Sequence, residues 1–165
     1  MDTQTKFDTN LFQEALKSVS GQSWAGTPVT GSTIAFFEKF LIPKELQSFL
    51  VSNSFDRPIE FGHIYLYSVN TLEGENCKEQ NKNCIDEGLL IVGSGLNGDP
   101  VVIDTKTLRM GFVFHDELWE SREVKARSAY IDTGLSIGKF YFDAITKKDT
   151  FPVDAYMAEE MYKKQ

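Results

Sequence analysis

Three short apolar runs decide the fold of this chain: LLIV at residues 89–92, VVID at 101–104 and MGFVFH at 110–115. Turn-forming residues separate the runs, with Gly95 to Pro100 in the first gap and Thr105 to Leu108 in the second. Each run has the length and the apolar content of a buried strand. Connections this short join antiparallel neighbours, because a parallel crossover needs about a dozen residues or more. We therefore predict an antiparallel meander at the centre of the chain.

Helical patterns flank this centre on both sides. A stripe of apolar residues predicts a first helix over residues 7–19, capped by Thr9 or Asn10. Residues 59–69 indicate another strand, and the polar residues 70–87 indicate a long loop. The order of helices, then strands, then helices is typical of an α+β domain. Four further helix starts are predicted from capping residues or prolines: Ser32, Pro43, Ser136 and Pro152.

Length, composition and charge limit the classes of function. The chain has 165 residues, which fits one domain, and its 13 Phe, 6 Tyr and 2 Trp predict an aromatic core. Its net charge is −7. Because an acidic surface repels phosphate groups, we expect neither nucleic acid nor an anionic membrane as a partner. The chain has no apolar run near the ~20 residues of a membrane span and no signal-peptide pattern, so we predict a cytoplasmic protein.

The arrangement of these motifs resembles the SUKH superfamily, which includes fungal cell-wall-assembly regulators and bacterial immunity proteins. The likeness rests on a Gly-Asp turn at residues 98–99, a strand that ends in Asp104 and a strand that ends in His115-Asp116. Upstream, residues 36–50 resemble the helix, proline, helix opening of the family. One departure is Asn53-Ser54-Phe55, which stands where the family usually has an Asn-Gly pair.

The resemblance implies binding rather than catalysis. It covers residues 32–147, so residues 1–31 are expected to be an N-terminal extension and residues 148–165 a C-terminal helical extension of a single SUKH-like domain over residues 1–165. Bacterial members typically neutralise toxins that are delivered between cells, and others are regulatory interaction modules. The family has no catalytic residue set, so no catalytic residue and no cofactor are expected here.

The segment Gly93 to Gly98 matches the dinucleotide pattern of three glycines letter for letter. That chemistry needs a helix immediately afterwards, whose N-terminus holds the pyrophosphate. Asp99-Pro100 and a β-branched run follow instead, and proline disfavours helical backbone at the residue before it. We therefore predict a hairpin turn and no nucleotide site.

Two small clusters could carry chemistry. Cys77 and Cys84, with His63 and His115, have the ligand types of a zinc site, but six residues between the cysteines is wider than the usual spacing. A loop disulfide and two free thiols are the alternatives, and we expect free thiols and no metal. His115-Asp116-Glu117 places an imidazole beside two carboxylates, yet neighbours on an extended chain point to opposite faces. We therefore expect no enzyme.

Negative charge is concentrated in the middle third. Residues 56–104 carry 9 acidic and 3 basic side chains. A solvated acidic loop explains this excess, and so does an acidic surface that steers a basic protein partner. On the second interpretation the contributors are Glu73, Glu75, Asp86 and Glu87. The predicted function is a non-enzymatic protein-binding domain, an immunity protein against a basic toxin domain; the alternative is a regulatory or scaffold module that binds a cellular protein.

Overall fold

A six-stranded antiparallel sheet forms the centre of the molecule in the computed structural model, which describes residues 6–19 and 26–163. The strands lie in the sheet in the order of the chain, and every neighbouring pair is antiparallel. The predicted meander and the α+β class are therefore confirmed. The strands are β1 (Ile59–Phe61), β2 (Ile64–Leu66), β3 (Leu89–Ser94), β4 (Pro100–Asp104), β5 (Met110–Val113) and β6 (Tyr130–Asp132).

The glycine-rich segment forms the turn between β3 and β4, as predicted. The Gly95 amide donates to the Asp99 carbonyl oxygen at 2.9 Å, which closes the turn, and Gly98 adopts a left-handed φ of 91°. Glycine adopts this conformation without steric cost. β4 follows directly, so no helix begins immediately after the glycines.

The strand predicted over residues 59–69 is instead a hairpin. Gly62 breaks it, with a φ of 64°, between β1 and β2. A Cβ at Gly62 would lie 2.2 Å from the carbonyl oxygen of Ala144, so this turn is also pressed against a helix. The strand predicted over residues 110–115 is β5, which ends at Val113 rather than at His115. β6 was not predicted from the sequence.

Helices surround the sheet. The contact between α1 (Thr9–Lys17) and α7 (Ile137–Thr146) is the most extensive between helices of the described chain. Its aromatic rings continue to the sheet, since the Phe12 centroid lies 6.2 Å from that of Tyr141 and 5.8 Å from that of Phe61. The helices are α1 (Thr9–Lys17), α2 (Gly31–Lys39), α3 (Lys44–Ser52), α4 (Leu72–Cys77), α5 (Lys82–Asp86), α6 (His115–Leu118), α7 (Ile137–Thr146) and α8 (Ala155–Tyr162), with 3-10 turns at Val69–Thr71 and Ala126–Ala129.

Several of the predicted caps were wrong by one or two residues. Thr30, not Ser32, caps α2 by accepting from the Thr33 amide, and Asp154, not Pro152, caps α8 by accepting from the Met157 amide. Ser136 caps α7 as predicted. At α1 the cap position is Asp8 rather than Thr9 or Asn10, and its side chain makes no capping bond.

The polar residues 70–87 are not a long loop, because they form α4 and α5. Asn76 holds α4 in place. Its fully buried amide accepts from the Ile91 amide at 2.8 Å and donates to the Ile91 carbonyl oxygen at 3.0 Å. Asn76 thereby supplies the hydrogen bonds that a further strand residue would make, at the point where β2 no longer pairs with β3.

Both predicted extensions belong to the central core. Phe7 and Phe12 from the N-terminal side, and Phe151, Ala155 and Ala158 from the C-terminal side, are buried in one cluster with the sheet residues. Residues 20–25, which include Trp24, lie outside the described residues. No helix in the described chain is long and apolar enough to cross a bilayer.

Candidate functional site

Asp99 organises one end of the sheet. Its carboxylate is fully buried, and a buried charge is tolerated only when donors surround it. Oδ1 accepts from the His115 amide at 3.0 Å and from His115 Nδ1 at 2.5 Å, and Oδ2 accepts from the Ala155 amide at 2.8 Å. One side chain in the β3–β4 turn therefore joins α6 and α8.

His115 begins α6 rather than ending a strand, and this orients its ring. With Nδ1 directed at Asp99, the imidazole packs on Trp119 with ring centroids 4.8 Å apart. Trp119 Nε1 donates to Asn81 Oδ1 at 2.9 Å, so the indole is held by one ring contact and one hydrogen bond. The Trp119 side chain is thus fixed although it is partly exposed.

The predicted neighbours His115 and Asp116 have different partners. Asp116 accepts a hydrogen bond from the Tyr156 hydroxyl at 2.6 Å. This bond lowers the pKa of Asp116 and raises the pKa of Tyr156 to about 12. The Tyr156 ring also packs edge-on against Phe114, with centroids 4.8 Å apart. Tyr156 is therefore also held in place although about half of its surface is exposed.

Three large apolar side chains are exposed around this end of the sheet. Leu96 at the tip of the β3–β4 turn is 63% exposed, Tyr156 is 52% exposed and Trp119 is 44% exposed. We call Leu96, Trp119 and Tyr156 the aromatic surface. Trp119 is connected to Asp99 through His115, and Tyr156 through its neighbour Ala155. Leu96 lies in the same turn as Asp99, and its amide donates to the Val153 carbonyl oxygen at 2.8 Å. Tryptophan and tyrosine are the residues most enriched at the energetic centres of protein interfaces.

A groove of about 190 Å³ runs beside Trp119. We call it the Trp119 groove. Polar and apolar residues line it together, among them Tyr67 and residues at the C-terminal end of α4. Burial and the nearby negative charge of Glu75 raise the pKa of Tyr67, against a hydrogen bond with Ser94 and the charge of Lys78. The residues that define the groove are Tyr67, Glu75, Lys78, Ile91, Pro100 and Trp119.

The four predicted acidic contributors do not form one cluster. Glu75 lines the Trp119 groove and pairs with Lys78 at 3.1 Å, whereas Glu73 lies two residues earlier on α4, about 200° away around the helix. Asp86 is exposed at the end of α5. Glu87 is half-buried, and its carboxylate accepts from the amides of Ala126 at 2.6 Å and Arg127 at 3.2 Å.

The cysteines and histidines of the hypothetical zinc site have separate surroundings. Cys84 is fully buried, and burial raises the pKa of its thiol to about 12, whereas Cys77 is exposed. His63 lies in the β1–β2 turn and His115 is bound to Asp99. In residues 6–19 and 26–163, no three His, Cys, Asp or Glu side chains are grouped so as to hold a metal ion.

Sequence reasoning missed Asp99, Leu96 and Tyr156 as members of this site. Leu96 was detectable, because an isolated leucine within a glycine-rich turn has no strand or helix face to bury it. Asp99 and Tyr156 carried no comparable signal, since their partners are 16 and 40 residues away in the chain. A larger groove of about 580 Å³ lies elsewhere, between Pro58, Tyr65 and Lys148. It has no comparable group of fixed exposed aromatic rings.

Neither the models of known protein families, nor the curated proteins, nor the solved structures gave a match to this chain.

Proposed function

We propose that this chain is a non-enzymatic protein-binding domain and that the aromatic surface is its binding site. The observation that carries the proposal is the aromatic surface itself, in which Trp119 and Tyr156 are exposed yet held by hydrogen bonds and ring contacts. Rigid aromatic side chains lose little conformational entropy on binding, so their burial contributes more to affinity than that of flexible ones.

Charge around the site supports a basic partner. Asp116 lies directly beneath Tyr156 and Glu75 lies beside Trp119. Complementary charge speeds the encounter of two proteins and excludes partners of the wrong sign. Together with the resemblance to the SUKH superfamily, this favours an immunity protein that neutralises a basic toxin domain over a regulatory module for a cellular protein.

The accessible acidic residues differ in what they contribute to this proposal. Glu73, Glu75 and Asp86 are at least partly exposed and are available to a partner. Glu87 is the weakest of the four candidates, because its carboxylate already accepts two backbone hydrogen bonds. Its replacement is expected to disturb the Ala126–Ala129 turn before it affects any partner.

The test uses the toxin domain encoded beside the gene, or the partner that the tagged protein captures in its native cell. Trp119→Ala should weaken binding about thirtyfold, the effect of losing an interface centre of about 2 kcal/mol. Glu73→Lys with Glu75→Lys should slow association and flatten its dependence on salt. Glu14→Lys, on the exposed face of α1, is the control for charge.

Binding kinetics at two salt concentrations measure both effects, and circular dichroism confirms that the variants fold. Unchanged affinity in Trp119→Ala would show that the aromatic surface is not the binding site. Protection of cells from the toxin by the wild-type chain, lost in Trp119→Ala, separates an immunity protein from a regulatory module.

A further inference from the structure

We infer that the Trp119 groove binds a guanidinium group, presented by an arginine side chain of the partner. The inference rests on the proposed function, because it names the chemistry by which the partner is recognised. It is carried by three features of the groove: an aromatic wall, a carboxylate beside it, and a lysine of the chain itself that already pairs with that carboxylate.

The aromatic wall is Trp119. Its indole is fixed by the ring contact with His115 and by the hydrogen bond from Nε1 to Asn81, and it still lines the groove. A cation over an indole face is attracted by the negative face of the ring, and this attraction is strongest for tryptophan. Ile91 and Pro100 also line the groove and offer apolar contact to the aliphatic part of a long side chain.

The carboxylate is Glu75. It lines the same groove as Trp119 and lies close enough to Tyr67 to influence the tyrosine hydroxyl. A guanidinium can stack its plane on an aromatic ring while its N–H groups point outward to a carboxylate in a two-bond fork. An ammonium group is a compact point charge that has neither a plane to stack on the ring nor a fork that matches the carboxylate. The groove therefore favours arginine over lysine.

The lysine is Lys78, whose Nζ lies 3.1 and 3.2 Å from the two oxygens of Glu75. It shows that a cation is stable at this position. The Lys78 side chain is half exposed and the pair is separated by three residues on a short helix. Such exposed pairs contribute little free energy, so an incoming guanidinium can displace the ammonium group into solvent. Lys78 is thus a resident competitor for the arginine.

The test uses the free protein and short peptides as probes. Because the chain has 2 tryptophans, Trp24→Phe leaves Trp119 as the single indole, whose N–H signal is followed by NMR. The peptide acetyl-Gly-Arg-Gly-amide should shift this signal saturably, with a Kd on the order of 1–10 mM. The same peptide with citrulline, which is uncharged and almost identical in shape, should not shift it, and the lysine peptide should bind more weakly.

Substitutions at Glu75 and at Lys78 should change the affinity for the arginine peptide in opposite directions. Glu75→Gln should weaken arginine-peptide binding about fivefold and Lys78→Met should strengthen it about threefold, the range expected for a partly exposed ion pair. The chain provides a matched control in Glu14 and Lys17, a second pair at the same helical spacing and 3.0 Å apart. Glu14→Gln and Lys17→Met should leave peptide binding unchanged.

Equal shifts with the arginine and citrulline peptides, no saturable shift, or equal effects of Glu75→Gln and Glu14→Gln would each overturn the inference.

Failure of this inference is distinguishable from failure of the proposed function. If the protein partner binds and is lost in Trp119→Ala while the arginine peptide has no effect, the inference fails and the function stands. If the peptide binds and Trp119→Ala leaves the partner's affinity unchanged, the guanidinium site stands and the proposed function of the surface fails.

Discussion

At the scale of single residues, Asp104 is a buried carboxylate that ties the end of β4 to Arg127. It ends β4 and is buried, and it accepts from Arg127 Nη1 at 2.9 Å, from Arg127 Nη2 at 3.1 Å and from the Lys106 amide at 3.0 Å. Burial alone would raise the pKa of Asp104. The hydrogen bonds and the positive charge of Arg127 outweigh burial and hold the pKa below its ordinary value.

Asp104→Asn should therefore destabilise the protein in a way that depends on pH. A pKa that is lower in the folded state contributes stability above the unfolded value, about 3.9, and this contribution is lost as pH falls through the folded value. We expect a loss of about 2 kcal/mol at neutral pH, from hydrogen bonds to a charged group, and a shrinking difference below about pH 4. Urea unfolding of both proteins at several pH values measures it.

The control for this prediction is Asp149→Asn, in the exposed turn after α7. Its effect should stay within about 0.5 kcal/mol at every pH. A difference between Asp104→Asn and wild type that is as large at pH 3 as at pH 7 would contradict the prediction.

At the scale of elements, the packing of β2 on β3 depends on a glycine. A Cβ at Gly93 would lie 1.8 Å from the carbonyl oxygen of Tyr65 and 3.2 Å from the Tyr141 hydroxyl. The first of these atoms is backbone and cannot move without shifting the strand. Gly93→Ala should therefore cost about 3 kcal/mol or more.

Gly74 provides the opposite case, because nothing lies within 4 Å of a Cβ at this position inside α4. Gly74→Ala should stabilise the protein by about 0.5–1 kcal/mol, since alanine loses less backbone entropy in a helix. Denaturant midpoints of both variants test the pair. Wild-type stability in Gly93→Ala would show that β2 and β3 can separate at little cost.

The central meander could be predicted from sequence because β3, β4 and β5 are apolar on both faces and the turns between them are short. The helices α4 and α5 could not be predicted from sequence, since they have only 6 and 5 residues and mostly polar side chains. Asn76 positions α4 through hydrogen bonds to Ile91, a contact that no local pattern encodes. β6 has only 3 residues and follows a charged stretch, so its pairing with β5 had no signal of its own.

The candidate site was predicted in part. The acidic middle of the chain and the turn at Gly93 to Gly98 were evident from composition and spacing, and the hairpin prediction was confirmed. The aromatic surface depends on contacts that cross the fold, such as those of Asp99 with His115 and Ala155. The contribution of Glu73, Glu75, Asp86 and Glu87 to binding stays a prediction.

At the scale of the whole molecule, the C-terminal segment closes the core. Phe151 packs on Phe140 with centroids 5.0 Å apart, and the Ala155 amide supplies one of the donors to buried Asp99. Ending the chain after Thr150 removes both and leaves the Asp99 carboxylate short of a donor. We expect this truncation to lose cooperative unfolding, because uncompensated buried charge and lost core contacts act together.

A milder variant keeps this prediction testable when the truncated chain does not fold. Asp154→Ala removes only the cap of α8 and should cost about 1 kcal/mol. Met161→Lys, on the exposed side of α8, is the control and should have little effect. The protection of the sheet amides against hydrogen exchange is measured in all three variants. Full protection in the truncated chain would mean that residues 151–165 are dispensable for the fold.

The packing of α1 against α7 has a consequence for how the protein is made. The hydroxyl of Ser136 donates to Asp8 across a separation of 128 residues. Since a ribosome adds about 5–20 residues per second, roughly 6–25 s pass between the synthesis of the two partners. Phe49 of α3 appears much earlier and gives Phe7 and Phe12 a first neighbour. The remaining apolar side of α1 stays uncovered until α7 has been synthesised, and it is open to chaperones during that interval.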